Sequence, residues 1–176
     1  GLLTICGGKW TTYRKMAEEC IDQAALVGGL EERESVTADL QIHGWTQVPE
    51  GADPFKDGAV YGADWEHIEK LREENPELAE RIHPDLPYTC AEVVWSVRFE
   101  MARRLEDVLS RRTRALLLNA RATLAAAPKV ADLMAAELDW DENRKIDEIK
   151  AFEAIATRYV LPKNWKEELD WSLKEL

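Results

Sequence analysis

The sequence predicts a mostly α-helical protein, a compact bundle of about six to eight helices preceded by a short strand–turn–helix unit. Three observations predict this fold class. From residue 63 to residue 176, apolar residues recur at three- and four-residue intervals, which places them on one face of successive helices. Residues 1–28 have the pattern of a strand, a tight turn and a helix. Residues 29–62 lack sustained periodicity and are rich in Gly and Pro, which is typical of a connecting loop.

The first unit begins with an apolar, partly β-branched segment from Leu2 to Cys6, which predicts a strand that stops at Gly7-Gly8. Helical spacing starts after Thr11, and Gly28-Gly29 is expected to end the helix. The predicted apolar face of this helix consists of Tyr13, Met16, Ala17, Cys20, Ile21 and Ala24.

In the helical body, the first predicted helix contains Ile68 and Leu71 and ends near Asn75-Pro76, and a short helix over 76–82 follows. Thr89-Cys90-Ala91-Glu92 has the sequence of a capping box, in which the Thr and Glu side chains bond to each other's backbone N–H groups. The apolar series behind the box predicts one well-buried helix through Val93, Val94, Val97, Met101 and Leu105.

Further helices are predicted over 107–112 and 113–126, and Pro128 is expected to open the next helix as its first residue. Asp141 is the predicted cap of another helix, which Pro162 stops. Its inward residues are Ile146, Ile149, Phe152, Ile155 and Tyr159. The tail after residue 160 predicts a last amphipathic helix over 165–176, and packing of its tryptophans on the same helical body is favoured over docking on another domain.

The composition limits the kinds of partner. With 34 acidic and 23 basic residues the net charge is -11, which disfavours nucleic acid and anionic lipid as partners of the surface as a whole. The three cysteines, Cys6, Cys20 and Cys90, are expected to be reduced and mostly buried. No metal site is expected, because His43, His67 and His83 have no partner at metal-ligand spacing.

The strand–Gly-Gly–helix junction is the segment most suited to chemistry. Glycines allow another molecule to approach the backbone, and a helix N-terminus offers unpaired N–H groups and a partial positive charge. Lys9 adds a full charge, and Thr11 or Thr12 can cap the helix or donate to a ligand. The residues alone leave two interpretations open: a site for an anionic group, or an ordinary turn with a surface lysine.

Residues 7–18, beginning Gly7-Gly8-Lys9-Trp10-Thr11-Thr12, resemble the last conserved segment of the flavin domain in FAD-dependent glycerol-3-phosphate dehydrogenases. A second block is similar to the C-terminal domain of that family, and a Tyr61-Gly62-Ala63-Asp64 stretch joins the two. The second block covers residues 83–88, 91–94, 98–102 and 105–114. The resemblance extends over most of the chain up to Tyr159.

The resemblance implies a specific activity. The family oxidises sn-glycerol 3-phosphate to dihydroxyacetone phosphate with FAD as hydride acceptor and passes the electrons to quinone. It implies that Lys9 lies near flavin and substrate, and that Gly7, Gly8, Lys9, Thr11 and Thr12 face the cofactor. It also implies a cytoplasmic enzyme, peripheral to the inner face of the cell membrane, whose partners are its own N-terminal FAD domain and the quinone pool. The sequence leaves the electron acceptor and a homo-oligomer open.

The sequence also departs from the family. The Gly-x-Gly-x-x-Gly motif that binds a dinucleotide is absent, as are the arginine and histidine that bind substrate earlier in the family's chain. Because the sequence begins without Met and inside a predicted strand, we expect a piece of a longer enzyme. On its own, this piece is expected to bind no FAD and to be inactive.

Two further functions and a second candidate site are weighed against this interpretation. The alternatives are the C-terminal domain of a glycerol-3-phosphate oxidase, which uses oxygen, and an independent helical interaction module. The run Arg111-Arg112-Thr113-Arg114 could hold a phosphate. Pairing of these arginines with helix-surface acids such as Asp107 is the favoured interpretation.

Overall fold

A computed structural model describes residues 1–47 and 58–161. The chain divides into two compact units, Gly1–Ala63 and a second unit that begins at Asp64. Within the described residues the regular elements are helical, as predicted, and the one β-bridge pairs Arg81 with Thr89. The predicted helix over 165–176 lies outside the described residues.

The first unit is built around α1, which spans Tyr13–Gly28 and follows a 3-10 turn over Trp10–Thr12. The helix ends at Gly29, as predicted, because Gly29 adopts the left-handed conformation with φ 63°. The N–H groups of Gly29 and Leu30 then bond to the carbonyls of Leu26 and Ala25. No residue of α1 is buried.

The predicted strand over Leu2–Cys6 is wrong for the described residues. This segment forms no ladder hydrogen bonds there, and together with α1 it lines a groove that contains Met16 and Cys20. A strand needs a neighbouring strand to satisfy its backbone, and no described strand stands beside this segment. The Gly7-Gly8 turn and the helix behind it are confirmed.

The second unit contains α2 (Trp65–Glu74), α3 (Cys90–Phe99), α4 (Ala115–Leu118), α5 (Ala120–Leu138) and α6 (Glu142–Ala156). A 3-10 helix over Ala59–Asp64 precedes α2, and other single turns lie at Pro76–Ala79 and Thr157–Tyr159. A π-helix spans Asp107–Arg112. Large, fully buried side chains form one core between α3, α5 and α6. Among them are Val93, Leu105, Leu109, Val130, Met134 and Phe152.

The predicted caps of α3 and α6 are confirmed. Glu92 Oε2 accepts hydrogen bonds from the N–H and the hydroxyl of Thr89 at 2.7 and 3.1 Å, which closes the capping box. Asp141 accepts from the N–H of Arg144 at 2.7 Å. These interactions satisfy N–H groups that a helix leaves unpaired at its start, so the local sequence decides where both helices begin.

Two predicted boundaries are wrong. The helix through Val97 ends at Phe99, and Met101 is exposed in the left-handed region at φ 57°, so it does not continue the apolar face. Two arginines hold this turn: Arg112 donates to the carbonyl of Glu100, and Arg103 donates to those of Val97 and Ala102. The predicted short helix over 76–82 is only the 3-10 turn Pro76–Ala79.

Pro128 does not open a helix but lies inside α5. A proline in a helix interior removes one hydrogen bond and crowds the preceding turn. Here the buried face of α5 is continuous on both sides of it, with Ala126, Ala127, Val130 and Ala131 at most 1% exposed. Burial of this face offsets the local cost of the proline. The helical pattern is interrupted instead at Asn119, whose side chain caps α5 by accepting from the N–H of Ala122.

The expectation of mostly buried cysteines is only partly right. Cys90 is buried, Cys20 is half-buried and Cys6 is exposed, and all three are free thiols as predicted. Burial raises the pKa of the Cys90 thiol. None of the helices in the described residues is long and apolar enough to cross a bilayer.

Candidate functional site

The Gly7-Gly8 turn that precedes α1 has a backbone that glycine favours. Gly7 and Gly8 have φ values of 77° and 108°, in the region that residues with a side chain rarely adopt. A Cβ at Gly8 would also lie 2.3 Å from the sulfur of Met16, whereas a Cβ at Gly7 would meet nothing within 4 Å. Both glycines are therefore favoured by conformation, and a Cβ at Gly8 would in addition require the flexible end of the Met16 side chain to move.

Thr12 fixes the start of the helix to Lys9. The hydroxyl of Thr12 accepts from the N–H of Lys9 at 3.3 Å and donates to the carbonyl of Lys9 at 3.1 Å. The N–H of Thr12 donates to the same carbonyl at 3.0 Å. The hydroxyl also lies 3.6 Å from the sulfur of Met16, which contacts the turn at Gly8. Thr12 thus stabilises the start of the helix, and its hydroxyl already has hydrogen-bond partners within the protein.

Several donors at the same turn are not used. The ammonium group of Lys9, the hydroxyl of Thr11 and the N–H groups of Trp10 and Thr11 have no partner among residues 1–47 and 58–161. All of these residues are exposed, and the rings of Trp10 and Tyr13 lie in a tilted contact with centroids 5.4 Å apart. One cation, one hydroxyl and the first N–H groups of a helix therefore lie within three consecutive residues.

The two cations that follow are committed to an acid. Glu18 accepts from Lys15 at 2.5 Å and from Arg14 at 2.6 Å, and Arg14 also donates to the hydroxyl of Thr37. The hydrogen bond from Lys15, followed by that from Arg14, lowers the pKa of the Glu18 carboxyl to about 2. Arg14 and Lys15 therefore share one carboxylate, whereas Lys9 has no ion-pair partner in the described residues.

This arrangement suits an anionic group. Unpaired N–H groups and the positive end of the helix dipole stabilise negative charge placed before the helix, and an ammonium group adds to the effect. The structure brings together Gly7, Gly8, Lys9 and Thr11 as the accessible part of the predicted site. Thr12 supports this turn through its two hydrogen bonds with the backbone of Lys9.

Two arginines of the run at the end of the π-helix, Arg111 and Arg112, are paired, as the favoured interpretation predicted. Arg111 bonds to Asp107 at 2.8 Å and to Glu106 at 2.6 Å, and Arg112 donates to the backbone carbonyl of Glu100 at 2.6 Å. Burial disfavours the charge of Asp107, but the backbone N–H groups of Arg103 and Arg104 outweigh it and lower the pKa of Asp107. Arg111 therefore stabilises the π-helix itself, and Arg112 joins the end of the π-helix to the turn that follows α3.

One buried charged site was missed by the sequence analysis. Glu148 is 3% exposed, forms an ion pair with Arg144 at 2.7 Å, and accepts hydrogen bonds from Arg104 at 3.3 Å and from the N–H of Leu105 at 3.2 Å. The spacing of Arg144 and Glu148 was a visible signal, but it is common on exposed helix faces. Within the described residues there is no group of His, Cys, Asp and Glu that could hold a metal ion.

Comparison with known proteins identifies the family. The profile of a family described as the C-terminal domain of alpha-glycerophosphate oxidase matches residues 58–145, half of the 176-residue chain. The chain belongs to this family. Membership of the alpha-glycerophosphate oxidase C-terminal domain family confirms the resemblance of the helical body, since the matched residues include α2 to α5.

Curated relatives extend the similarity to most of the chain. It is 33% identical to the mitochondrial glycerol-3-phosphate dehydrogenase of Rattus norvegicus over 187 aligned residues, covering 91% of this chain and 24% of the relative. For the Bos taurus protein of that name the identity is 34%, covering 85% and 23%. A probable mitochondrial glycerol-3-phosphate dehydrogenase of Caenorhabditis elegans is 32% identical, covering 86% and 24%.

The chain thus spans about a quarter of the length of these relatives. It corresponds to the C-terminal part of a larger protein, and the family suggests a flavoprotein enzyme. No solved structure matches the chain.

Proposed function

We propose that the chain is the C-terminal part of an FAD-dependent glycerol-3-phosphate dehydrogenase, which oxidises sn-glycerol 3-phosphate to dihydroxyacetone phosphate and passes electrons to quinone. In this proposal residues 1–28 complete the flavin domain, residues 29–62 connect, and residues 63–176 form a helical domain that is not itself catalytic. The identities of 31% to 34% with glycerol-3-phosphate dehydrogenases support it.

The observation that carries the proposal is the uncompensated charge of Lys9 at the start of α1. Bound flavin would accept the hydride and gain negative charge on its ring. A fixed cation and unpaired helix N–H groups stabilise such a charge without reorganisation. The space beside Gly7, where a Cβ would meet nothing within 4 Å, is open to a planar ring, and the free hydroxyl of Thr11 could donate to it. We assign these residues to the cofactor and Lys9 to the substrate phosphate or carbonyl as well.

The exposed apolar face of α1 supports the partner in this proposal. Tyr13, Ile21 and Val27 share one side of this helix and are 61%, 67% and 53% exposed. A run of large apolar side chains at a helix surface is typical of an interface. The rest of the enzyme's own N-terminal FAD domain is the partner that the relatives' greater length supports. An independent interaction module would account for this face but not for the unpaired donors of the Lys9 turn.

A glycerol-3-phosphate oxidase is the second candidate, because the description of the matching family names alpha-glycerophosphate oxidase. Both enzymes would use the same substrate and cofactor, and they differ in whether quinone or oxygen takes the electrons. The dehydrogenase is favoured because the relatives cited above carry that name. We further propose a peripheral attachment of the whole enzyme to a membrane, at which quinone is reduced.

The proposal is tested in the holoenzyme by Lys9→Met, with Lys15→Met as the matched control. Both variants remove one lysine charge from the same helix start, but the Lys15 ammonium is paired with Glu18 whereas that of Lys9 is unpaired. We expect Lys9→Met to lower kcat/KM for glycerol 3-phosphate by roughly 100-fold. Lys15→Met should change it less than about threefold.

Equal effects of the two variants would reject the assignment of Lys9. A holoenzyme that binds flavin but does not oxidise glycerol 3-phosphate would reject the proposed function itself. The 176-residue chain alone is expected to be colourless after purification and mixing with FAD. A stoichiometric flavin spectrum in that sample would contradict the proposal that the remaining three quarters of the enzyme hold the cofactor.

A further inference from the structure

One end of the helical body presents a group of exposed apolar residues outside the site described above. In α4, Ala115 and Leu116 are buried while Leu117 and Leu118 are 64% and 63% exposed. This helix therefore packs on the core with one side and presents two adjacent leucines on the other. Exposed large apolar residues that lie side by side indicate a surface that something covers.

The chain returns to this end after α6. The guanidinium of Arg121, in the first turn of α5, donates to the carbonyl of Leu161 at 2.5 Å. Leu161 and Tyr159 are themselves 53% and 51% exposed. Arg121 follows Leu117 by four residues, so their Cα atoms are at most about 15 Å apart. The exposed residues of α4 and those of 159–161 therefore lie at the same end of the helical body.

We propose that residues 162–176 of this chain cover the α4 surface, which we define as Leu117, Leu118, Tyr159 and Leu161. Their sequence places apolar side chains at helical spacing, with Trp165, Leu169 and Leu173 on one stripe. A helix over 165–176 would be roughly 18 Å long, and residues 162–164 could span roughly 10 Å more. The segment is therefore long enough to lie across the α4 surface from its attachment beside Arg121.

The attachment favours this occupant over a separate molecule. Leu161 belongs to the surface and is bonded to Arg121, so the following segment starts at the same end of the helical body as Leu117 and Leu118. A tethered segment has an effective concentration of the order of millimolar at such a site. A second copy of the chain would have to compete at its much lower free concentration. This inference does not depend on the proposed dehydrogenase activity.

Hydrogen exchange of the 176-residue chain, followed by mass spectrometry, tests the proposal. We expect peptides from 165–176 to exchange at least about tenfold more slowly than an unstructured segment. Leu118→Glu should abolish this protection, and the matched control Met101→Glu should not. Met101 is 76% exposed and lies outside the α4 surface, so the control adds the same charge to another exposed apolar position.

A reciprocal variant distinguishes loss of docking from loss of folding. Leu169→Glu with Leu173→Glu leaves every residue of the helical body unchanged, and it should increase exchange in residues 115–118 while α6 keeps its protection. The proposal is overturned if 165–176 exchange at the unstructured rate in the unaltered chain, or if Leu118→Glu leaves their protection intact. It is also overturned if the protection rises with protein concentration together with a dimeric mass, since a second copy would then be the occupant.

Discussion

Glu148 on α6 accepts a hydrogen bond from the backbone N–H of Leu105 at 3.2 Å, which joins two parts of the chain that are 43 residues apart. The same carboxylate accepts from Arg104 at 3.3 Å and forms an ion pair with Arg144 at 2.7 Å. Glu148 is 3% exposed, whereas the two arginines are about half exposed. The carboxylate is therefore buried with its partners arranged around it, and it positions the segment that leads into the π-helix.

Replacement of this carboxylate by an amide should destabilise the second unit. Glu148→Gln removes the charge that both arginines pair with and places an NH₂ group where the carboxylate accepted hydrogen bonds. We expect the free energy of unfolding to fall by roughly 2–4 kcal/mol, measured by urea denaturation. Glu142→Gln is the control: Glu142 is 79% exposed and pairs with Lys145, so its loss should cost less than about 1 kcal/mol. Similar losses for both variants would contradict the role of burial.

The position of Pro128 inside α5 predicts that its replacement by alanine stabilises the protein. It is exposed in the interior of α5, so Pro128→Ala removes no buried contact and restores a backbone donor. Proline is about 3 kcal/mol less favourable than Ala inside a helix, but it also restricts the unfolded chain, so we expect a net increase of roughly 1–2 kcal/mol.

The control for this prediction is Pro76→Ala. Pro76 stands in the first turn of the 3-10 helix Pro76–Ala79, where the missing N–H would be unpaired in any residue. That variant should change the free energy of unfolding by less than about 0.5 kcal/mol. A decrease for Pro128→Ala in the same urea experiment would mean that the ring of Pro128 makes a stabilising contact.

The pairing of Glu18 predicts a pH dependence in the first unit. The folded pKa of Glu18 is lowered to about 2 from an ordinary value of 4.5, so the ionised form is the one that the fold stabilises. Its contribution is complete above pH 4.5 and is lost as the pH falls towards 2. An NMR titration of the Glu18 carboxyl should show a midpoint near 2, and Lys15→Met should raise it towards 4.5. A midpoint near 4.5 in the unaltered chain would show that the ion pairs do not persist in solution.

The elements that local sequence determines were predicted well. The Thr89–Glu92 capping box and the Asp141 cap depend on side chains within four residues of the backbone they satisfy, and the Gly29 stop depends on the left-handed conformation of that one glycine. The Gly7-Gly8 turn and the unpaired Lys9 beside it are local in the same sense. Resemblance then narrowed the function of this turn beyond what its chemistry alone could indicate.

The failures have a different cause, because they depend on residues far away in sequence. The helix through Val97 stops before Met101 since Arg112 holds the carbonyl of Glu100 from 12 residues away. Pro128 remains inside a helix because α5 is buried against α3 and α6, which a single-element pattern does not reveal. An apolar run such as 2–6 indicates a strand only when a partner strand stands beside it, and the pattern of the run contains no information about that partner.

Thr11 and Thr12, at the start of α1, are expected to have different roles, Thr12 in stability and Thr11 in cofactor binding. The hydroxyl of Thr12 is bonded to the backbone of Lys9, so Thr12→Val should loosen the helix start and lower the stability of the first unit by about 1 kcal/mol. The hydroxyl of Thr11 has no partner in the described residues, so Thr11→Val should leave the stability of the 176-residue chain unchanged. In the holoenzyme, however, Thr11→Val should weaken FAD binding about tenfold through the loss of one hydrogen bond to the ring. Urea denaturation of the chain and flavin titration of the apoenzyme measure the two effects. An unchanged FAD affinity in Thr11→Val would remove Thr11 from the proposed site while leaving the assignment of Lys9 to be judged by its own variant.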